Sequence, residues 1–156
     1  MKILCIIPAR AGSKRIKNKN FINFFGQPII KYSIDSAIKS KVFSKILVST
    51  DIIKTKLSFK NSDVTFHQRS SKYSGDNASL EQTCLKIIND EEKNHETYDY
   101  FCCLTATSPL RDEKDIRNCN KIIKKHKPNF LMATTDFYYD PMEALEKKKK
   151  SCNTFI

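Results

Sequence analysis

Cationic side chains crowd the short segment that follows the first apolar run of the chain. Residues 3–7 (ILCII) are continuously apolar, and the segment 9–20 after them holds one glycine, Gly12, and five cations. These cations are Arg10, Lys14, Arg15, Lys17 and Lys19. Gly12 lets backbone approach a ligand closely, and successive amides can form a nest that binds anions. These residue types together predict a polyphosphate site.

The segment matches neither of the common glycine-rich phosphate motifs. The sequence contains no G-x-x-x-x-G-K-[ST] and no G-x-G-x-x-G. A basic loop exposed to solvent is the plain alternative for such a run of cations. Its place directly after a buried strand favours binding, because ligands of open α/β sheets lie at the carboxyl ends of the strands.

The elements that must position this segment alternate in type along the chain. Apolar runs rich in β-branched residues are separated by segments whose apolar residues recur every three or four positions. This pattern is typical of βα units around a mostly parallel sheet. Strands are predicted over 3–7, 45–50, 63–67, 98–104 and 129–135, and helices after Pro28, Ser79 and Asp112. Right-handed crossovers then give a three-layer α/β/α, Rossmann-like sandwich.

The C-terminal part of the chain carries a weaker pattern. We expect an α/β core over residues 1–135 and an incomplete C-terminal segment with a basic tail over 136–156. The charge run 146–150 is predicted to be the solvated end of a helix. No aromatic residues interleave its lysines, as they do in single-stranded nucleic-acid sites.

The composition of the chain indicates which kinds of ligand it binds and in which compartment it works. The 28 Lys and Arg residues exceed the 17 Asp and Glu residues, which gives a net charge of +11 and suits anionic ligands. No apolar run approaches the ~20 residues that span a bilayer, and the apolar start is short for a signal peptide. We therefore expect a cytoplasmic protein that binds neither membrane nor nucleic acid.

Cysteine and histidine spacing gives no metal site. The 6 cysteines contain no C-x-x-C pair, so neither a zinc site nor a disulfide framework is predicted. Cys102 and Cys103 are expected on opposite faces of one strand. The histidines His67, His95 and His126 are scattered and are predicted to be ordinary residues.

Four ordered segments resemble one enzyme family. IIPARAGSKR at 6–15, with Lys19 and Asn20 after it, closely resembles the nucleotide-binding loop of the acylneuraminate cytidylyltransferases, the CMP-sialic acid synthetases. Pseudaminic and legionaminic acid activating enzymes are relatives of that family. The further matches are ILVSTD at 46–51, R-x6-D-x2-S from Arg69 to Ser79, and TSPLR at 107–111.

The resemblance implies a nucleotidyltransferase that condenses CTP with an acidic nine-carbon keto sugar. The sugar's anomeric hydroxyl would attack the α-phosphorus, and pyrophosphate would leave. A divalent metal, usually Mg²⁺, would draw charge from the phosphates. Such a step needs mainly positioning and electrostatic relief at the phosphoryl oxygens.

The resemblance also implies roles for single residues. Arg10 and Lys19 are the expected catalytic cations at the triphosphate, and Ser79 and Thr105 are expected on the sugar side. The implied nucleotide-binding residues are Ala9, Arg10, Ala11, Gly12, Ser13, Lys14, Lys19, Asn20 and Arg69. A surface salt bridge is the alternative for Arg69, and a helix N-cap for Ser79.

Two departures from the family pattern leave alternatives open. Sialic acid activating members carry Gln-Pro where this chain has Thr105-Ala106, and pseudaminic-type relatives carry an alanine-threonine loop of this kind, so the sugar stays open. Family members also continue past residue 156. The metal-binding aspartates, part of the sugar pocket and the dimer arm lie in that stretch.

Asp51, Asp76 and Asp112 do not match the family's metal ligands, so the ligands in this chain are unknown. Full-length relatives are expected to form homodimers. A non-catalytic nucleotide binder and a 3-deoxy-octulosonate-type cytidylyltransferase are the alternative functions. A basic nucleic-acid module is disfavoured, because the lysines are spread through the chain.

Overall fold

The computed structural model divides into two compact units, Met1–His126 and Lys127–Ile156. It describes residues 1–13, 16–51, 63–70 and 79–134, with the backbone alone of 145–148 and 151–154. The strands are β1 Ile3–Pro8, β2 Asn23–Phe24, β3 Gln27–Pro28, β4 Lys45–Thr50, β5 Val64–Gln68, β6 Tyr100–Cys103, β7 Leu145–Lys148 and β8 Ser151–Thr154. The α-helices are α1 Ile29–Ser40, α2 Leu80–Lys93 and α3 Glu113–His126. A short 3₁₀ helix spans Lys19–Phe21.

A four-stranded parallel sheet forms the centre of the first unit. Its strand order is β5-β4-β1-β6, with Ile6 of β1 in register with Leu47 and Cys103. Because β1 has a strand on each side and helices over both faces, it is apolar throughout. The parallel sheet predicted from the alternating pattern is confirmed.

Each face of the sheet carries its own apolar cluster. Ile7 packs with Ile30 and Ile34 of α1 and with Ile116 of α3. On the other face Leu4 and Ile6 pack with Leu47, Cys84 and Ile87, the last two from α2. The three layers of the predicted sandwich are therefore present.

The cysteine pair of β6 follows the pleat of the strand. Cys102 packs against the cluster under α1, and Cys103 packs against the cluster under α2. Their predicted placement on opposite faces is confirmed. None of the helices among the described residues is long and apolar enough to cross a bilayer.

The C-terminal predictions differ from the structure in two places. A strand was predicted at 129–135, but residues 129–134 form no strand in the structure. An apolar run forms a strand only where a neighbour accepts its ladder hydrogen bonds, and Phe130 stays 77% exposed. The predicted core boundary at 135 rested on that strand and stays a prediction.

The charge run at 146–150 was predicted to be a helix end, which is wrong for its described part. β7 pairs antiparallel with β8, with Glu146 opposite Asn153. The local partner strand supplies cross-strand hydrogen bonds that outweigh the helix preference of Glu and Lys.

Candidate functional site

The loop after β1 is held in place from both sides at its first turn. Asn20 is buried, and its Nδ2 donates to the carbonyl oxygen of Arg10 over 2.9 Å. The next amide, that of Ala11, donates to Oδ1 of Asp51 over 2.7 Å. Asp51 follows β4 directly, so β1 and β4 bring these groups together at their carboxyl ends. The backbone around Arg10 is therefore fixed without a ligand.

The turn after Ala11 leaves open space at Gly12. The Ser13 amide donates to the Ala11 carbonyl over 2.8 Å. A Cβ added at Gly12 would meet no heavy atom within 4 Å, and its φ lies outside the left-handed region. Glycine is therefore not required here by backbone conformation. The space above it is available to a molecule that approaches the loop.

Arg69 places a buried guanidinium beside this loop. It follows β5, its amide donates to the Thr50 carbonyl over 2.8 Å, and the residue is only 7% exposed. Its buried Nε has no hydrogen-bond partner among the residues that the structure describes. Burial lowers the pKa of the Arg69 guanidinium, Asp51 acts in the opposite direction, and Arg10 lowers the pKa further. A buried donor without a partner costs free energy unless a ligand meets it.

A small polar cavity lies next to Arg69, between the ends of β4 and β5 and helix α2. Its volume is about 60 Å³. Its walls combine hydroxyl, imidazole, carboxylate and cationic groups. The lining residues are Ser49, His67, Gln68, Arg69, Ser70, Thr83, Lys86 and Asp90.

Three of these lining residues form a chain of contacts that resembles a catalytic triad. Ser49 Oγ lies 3.3 Å from His67 Nδ1, and His67 Nε2 lies 3.4 Å from Asp90 Oδ2. Ser49 is fully buried, so its hydroxyl is not exposed to solvent. Lys86 also pairs with Asp90. We interpret this chain as a link between the sheet and α2, which sequence reasoning missed because it joins residues far apart in the chain.

A second loop, after β6, is held by α1. Ser33 Oγ donates to the Thr105 carbonyl over 3.0 Å, and Arg111 Nη2 donates to Ser33 Oγ over 3.1 Å. Ser36 Oγ donates to the Arg111 carbonyl over 2.9 Å. The Thr105 hydroxyl lies 2.9 Å from Ser108 Oγ. The two serines of α1 that hold this loop had no signal in the sequence.

The residues predicted for the site fall into three groups. Arg10, Ala11, Asn20 and Arg69 lie together at the carboxyl ends of β1, β4 and β5 with their neighbours in the same loop. Thr105 lies after β6, the strand that pairs with β1. Its carbonyl accepts a hydrogen bond from Ser33 of α1 and not from the described residues of the loop after β1. The remaining three residues are treated separately below.

Lys19 and Ser79 are both exposed, and Lys14 lies outside the described residues. Lys19 begins the 3₁₀ helix that carries the buried Asn20. Ser79 is the N-cap of α2 and forms a capping box with Gln82. The helix-cap alternative for Ser79 is confirmed, and it does not exclude a contact with a ligand.

The described residues do not supply a ligand set for Mg²⁺. No group of three or more His, Cys, Asp or Glu that could hold a metal occurs among them. Asp51 is the one carboxylate bonded to the loop after β1 among the residues described, and its Oδ1 is used by the Ala11 amide. One carboxylate fixed in this way is too few for a protein-held metal.

A model of the cytidylyltransferase family matches residues 4–154. The chain belongs to this family. A pseudaminic acid cytidylyltransferase from Campylobacter jejuni is 38% identical over 144 residues, which cover 89% of this chain and 60% of the relative. An N-acylneuraminate cytidylyltransferase from Streptococcus agalactiae is 35% identical, with 90% of this chain and 34% of the relative covered.

The chain thus spans about three fifths of the length of the curated relative matched at 38% identity. Solved cytidylyltransferase structures share its fold. A synthetase of CMP-2-keto-3-deoxy-manno-octonic acid in complex with CTP superposes with a TM-score of 0.61 at 18% identity, over 81% of this chain and 49% of that one. A Mycobacterium tuberculosis protein in complex with manganese superposes at 0.54 with 12% identity, over 78% and 59%. The Rossmann-like nucleotidyltransferase fold is confirmed.

Proposed function

We propose that this chain binds CTP and serves the transfer of CMP to a sialic-acid-like nine-carbon keto-acid sugar. The observation that carries the proposal is the buried Arg69 guanidinium beside the fixed loop of Arg10, because none of the described residues accepts a hydrogen bond from its Nε. A cytosine nucleotide offers acceptors for such a donor, and its phosphates suit the cations of the loop. Family membership and the relatives at 35% and 38% identity support the same function.

The reaction we propose is a displacement at the α-phosphorus of CTP. The anomeric hydroxyl oxygen of the sugar forms the new bond to the α-phosphorus. The bond from that phosphorus to the oxygen shared with the β-phosphate breaks, pyrophosphate leaves with this oxygen, and the hydroxyl proton is lost to solvent. Arg10 and Lys19 would hold the triphosphate and offset the charge on its oxygens. Arg69 would hold the nucleotide from the other side of the loop, and Asn20 would hold the loop backbone.

On the sugar side we propose Ser79 and Thr105. Ser79 ends the R-x6-D-x2-S segment and Thr105 lies two residues before the TSPLR segment. Arg111 Nη2 donates to Ser33 Oγ and to the Thr105 carbonyl, which holds the backbone at Thr105. The relative at 38% identity acts on pseudaminic acid and the one at 35% on N-acylneuraminate, by their names. We therefore propose the class of acidic nine-carbon keto sugars without choosing one member.

The divalent ion we propose for the reaction is Mg²⁺, in complex with the triphosphate. When bound, it would draw electron density from the phosphoryl oxygens. Because the described residues offer no ligand set, we assign it no protein ligand and no separate step. We also propose a cytoplasmic location, where CTP is available and thiols stay reduced. The homodimer stays a proposal for the full-length relatives.

Calorimetric titration with CTP, ATP, GTP and UTP tests the nucleotide site. We expect CTP to bind in preference to the other nucleotides. Arg69→Ala and Arg10→Ala should each bind CTP about tenfold more weakly, because each variant loses one charge-assisted contact. Absence of CTP binding by the unmodified chain would overturn the proposal.

Pyrophosphate release with a panel of keto-acid sugars tests the reaction. Turnover with nine-carbon acids supports the transferase, whereas turnover with 3-deoxy-octulosonate alone identifies that alternative activity. CTP binding without any turnover would leave a nucleotide binder and contradict the catalytic part of the proposal.

A further inference from the structure

Asp51 faces the loop after β1 from the neighbouring strand. It stands directly after β4, and its Oδ1 accepts a hydrogen bond from the Ala11 amide over 2.7 Å. The distance is typical of a hydrogen bond to a charged acceptor. The sequence drew attention to Asp51 only as part of a matching segment and as a poor match for a metal ligand.

The same carboxylate lies within electrostatic range of the guanidinium proposed to hold the nucleotide. Asp51 favours the charged form of Arg69, whereas Arg10 disfavours it. Asp51 therefore lies close enough to Arg69 to act on its charge. Near an incoming triphosphate such a carboxylate has two opposed effects. It repels the phosphates through space, and it fixes the backbone that receives them.

The bonds around Asp51 favour the fixing effect. Arg10 has its carbonyl held by Asn20, and the adjoining amide of Ala11 is held by Asp51. Both sides of one peptide unit are thus bonded to side chains from elsewhere in the chain. A loop fixed before binding loses less conformational entropy when the ligand arrives.

We propose that Asp51 is a positioning residue of the nucleotide site. Its carboxylate oxygen holds the Ala11 amide and thereby fixes the peptide that carries Arg10, so that CTP meets a preformed loop. The Ala11 amide is then not a phosphate ligand. This inference rests on the proposed function, because it assumes that the loop receives the phosphates of CTP.

Two substitutions separate the hydrogen bond from the charge. Asp51→Asn keeps an acceptor oxygen at the same place and removes the negative charge, and Asp51→Ala removes both. If Asp51 positions the loop, CTP affinity of Asp51→Asn equals or exceeds that of the unmodified chain, and Asp51→Ala binds about tenfold more weakly. The titration is run with EDTA present, so that no metal contributes.

A matched control is Asp35→Asn on α1, whose carboxylate pairs with Lys31. It removes the same charge away from the loop, and we expect unchanged CTP affinity. Hydrogen exchange at the Ala11 amide gives a second readout without ligand. We expect the Ala11 amide to stay protected from exchange in Asp51→Asn and to lose this protection in Asp51→Ala. If Asp51→Ala does not fold, Asp51→Ser, with a hydroxyl too short to reach, replaces it.

Each other outcome overturns the inference. Equal losses of CTP affinity in both variants would show that the charge matters and the acceptor does not. Tighter binding by both would show that Asp51 competes with the phosphates for the Ala11 amide. If the unmodified chain binds no CTP, the proposed function falls as well, which distinguishes that failure from a failure of Asp51 alone.

Discussion

The side-chain amide of Asn20 donates a hydrogen bond to the Arg10 carbonyl over 2.9 Å. This contact joins the 3₁₀ helix Lys19–Phe21 to the loop that follows β1. Arg10 owes its backbone position to a buried residue ten positions later in the chain. Asn20 was predicted to bond the nucleotide, and its amide nitrogen also serves the protein itself.

Replacement of Asn20 tests this link. Asn20→Ala leaves the Arg10 carbonyl without its side-chain donor, and we expect a loss of about 1–2 kcal/mol in the free energy of unfolding, measured with urea. CTP affinity should fall with it. Asn20→Asp, which cannot donate, should behave at least as badly. Full stability and CTP affinity in both variants would show that the contact holds nothing in place.

Gly12→Ala separates folding from ligand binding. Gly12 has open space around its Cα and a φ outside the left-handed region, so alanine is tolerated and raises stability by about 0.4–1 kcal/mol through the unfolded chain. We expect weaker CTP binding, since the methyl group fills space that a phosphate would use. A thermal melt and a CTP titration measure the two effects. A melting temperature lowered by several degrees would contradict the open space and the ordinary φ at Gly12.

Much of the fold is predictable because its signals are local. The strand β4 was predicted with its observed bounds, since an apolar β-branched run ends there at short polar residues. The helix α2 was predicted from its apolar stripe and from Ser79 as a candidate cap. Such features depend on neighbouring residues in the chain, which a single sequence displays in full.

The hairpin formed by β2 and β3 was not predicted from the sequence. Phe25 and Gly26 both have positive φ, at 47° and 89°, in a two-residue loop. Asn-Gly is the usual sequence signal for such a turn, and this chain has Phe25 in place of the asparagine. Phe25 is 87% exposed, and its ring contacts Phe24 edge-on at 4.8 Å between centroids.

Phe25→Asn and Phe25→Ala form a matched pair for this turn. Both lose the contact with Phe24, but asparagine adopts positive φ with little strain whereas alanine does not. We expect Phe25→Asn to be more stable than Phe25→Ala by about 1 kcal/mol in urea unfolding. Equal stabilities would show that backbone strain at residue 25 is negligible. CTP affinity should be the same in both.

Ser79 tests whether a helix cap and a ligand contact are separable. Ser79 Oγ accepts from the Gln82 amide over 3.2 Å, so Ser79→Ala should lower the free energy of unfolding by about 1 kcal/mol. Ser79→Asp keeps a capping acceptor and should retain stability. If Ser79 also contacts the sugar, both variants raise the KM for the sugar. Raised KM in the alanine variant alone would assign the effect to the cap.

Acid unfolding tests the contacts of Asp90. The pKa of Asp90 lies below its usual value, chiefly because Lys86 donates to the carboxylate, and His67 contributes in the same direction. A depressed pKa adds stability above the unfolded pKa of about 3.9, and this is lost as pH falls through the folded value. The difference in unfolding free energy between the unmodified chain and Asp90→Asn should therefore shrink below about pH 4. A difference constant down to pH 2 would contradict this cause.

The parts of the site that the sequence does not display are long-range pairs. Arg111 reaches Ser33, and Asp51 reaches Ala11, across separations that depend on the sheet order. The missing strand at 129–134 has the same origin, because a strand exists only beside a partner. Residue types indicated the loop after β1, and the family resemblance indicated Arg69, but only the assembled sheet shows what holds them.

A crystal structure of the chain with CTP tests the central claim most directly. The account predicts the phosphates of CTP against the loop after β1, within hydrogen-bond distance of Arg10 and Lys19, with the Arg69 guanidinium bonded to the nucleotide. The Ala11 amide should remain on Asp51. Nucleotide density at another place on the molecule, with Arg69 Nε still without a partner, would contradict the account.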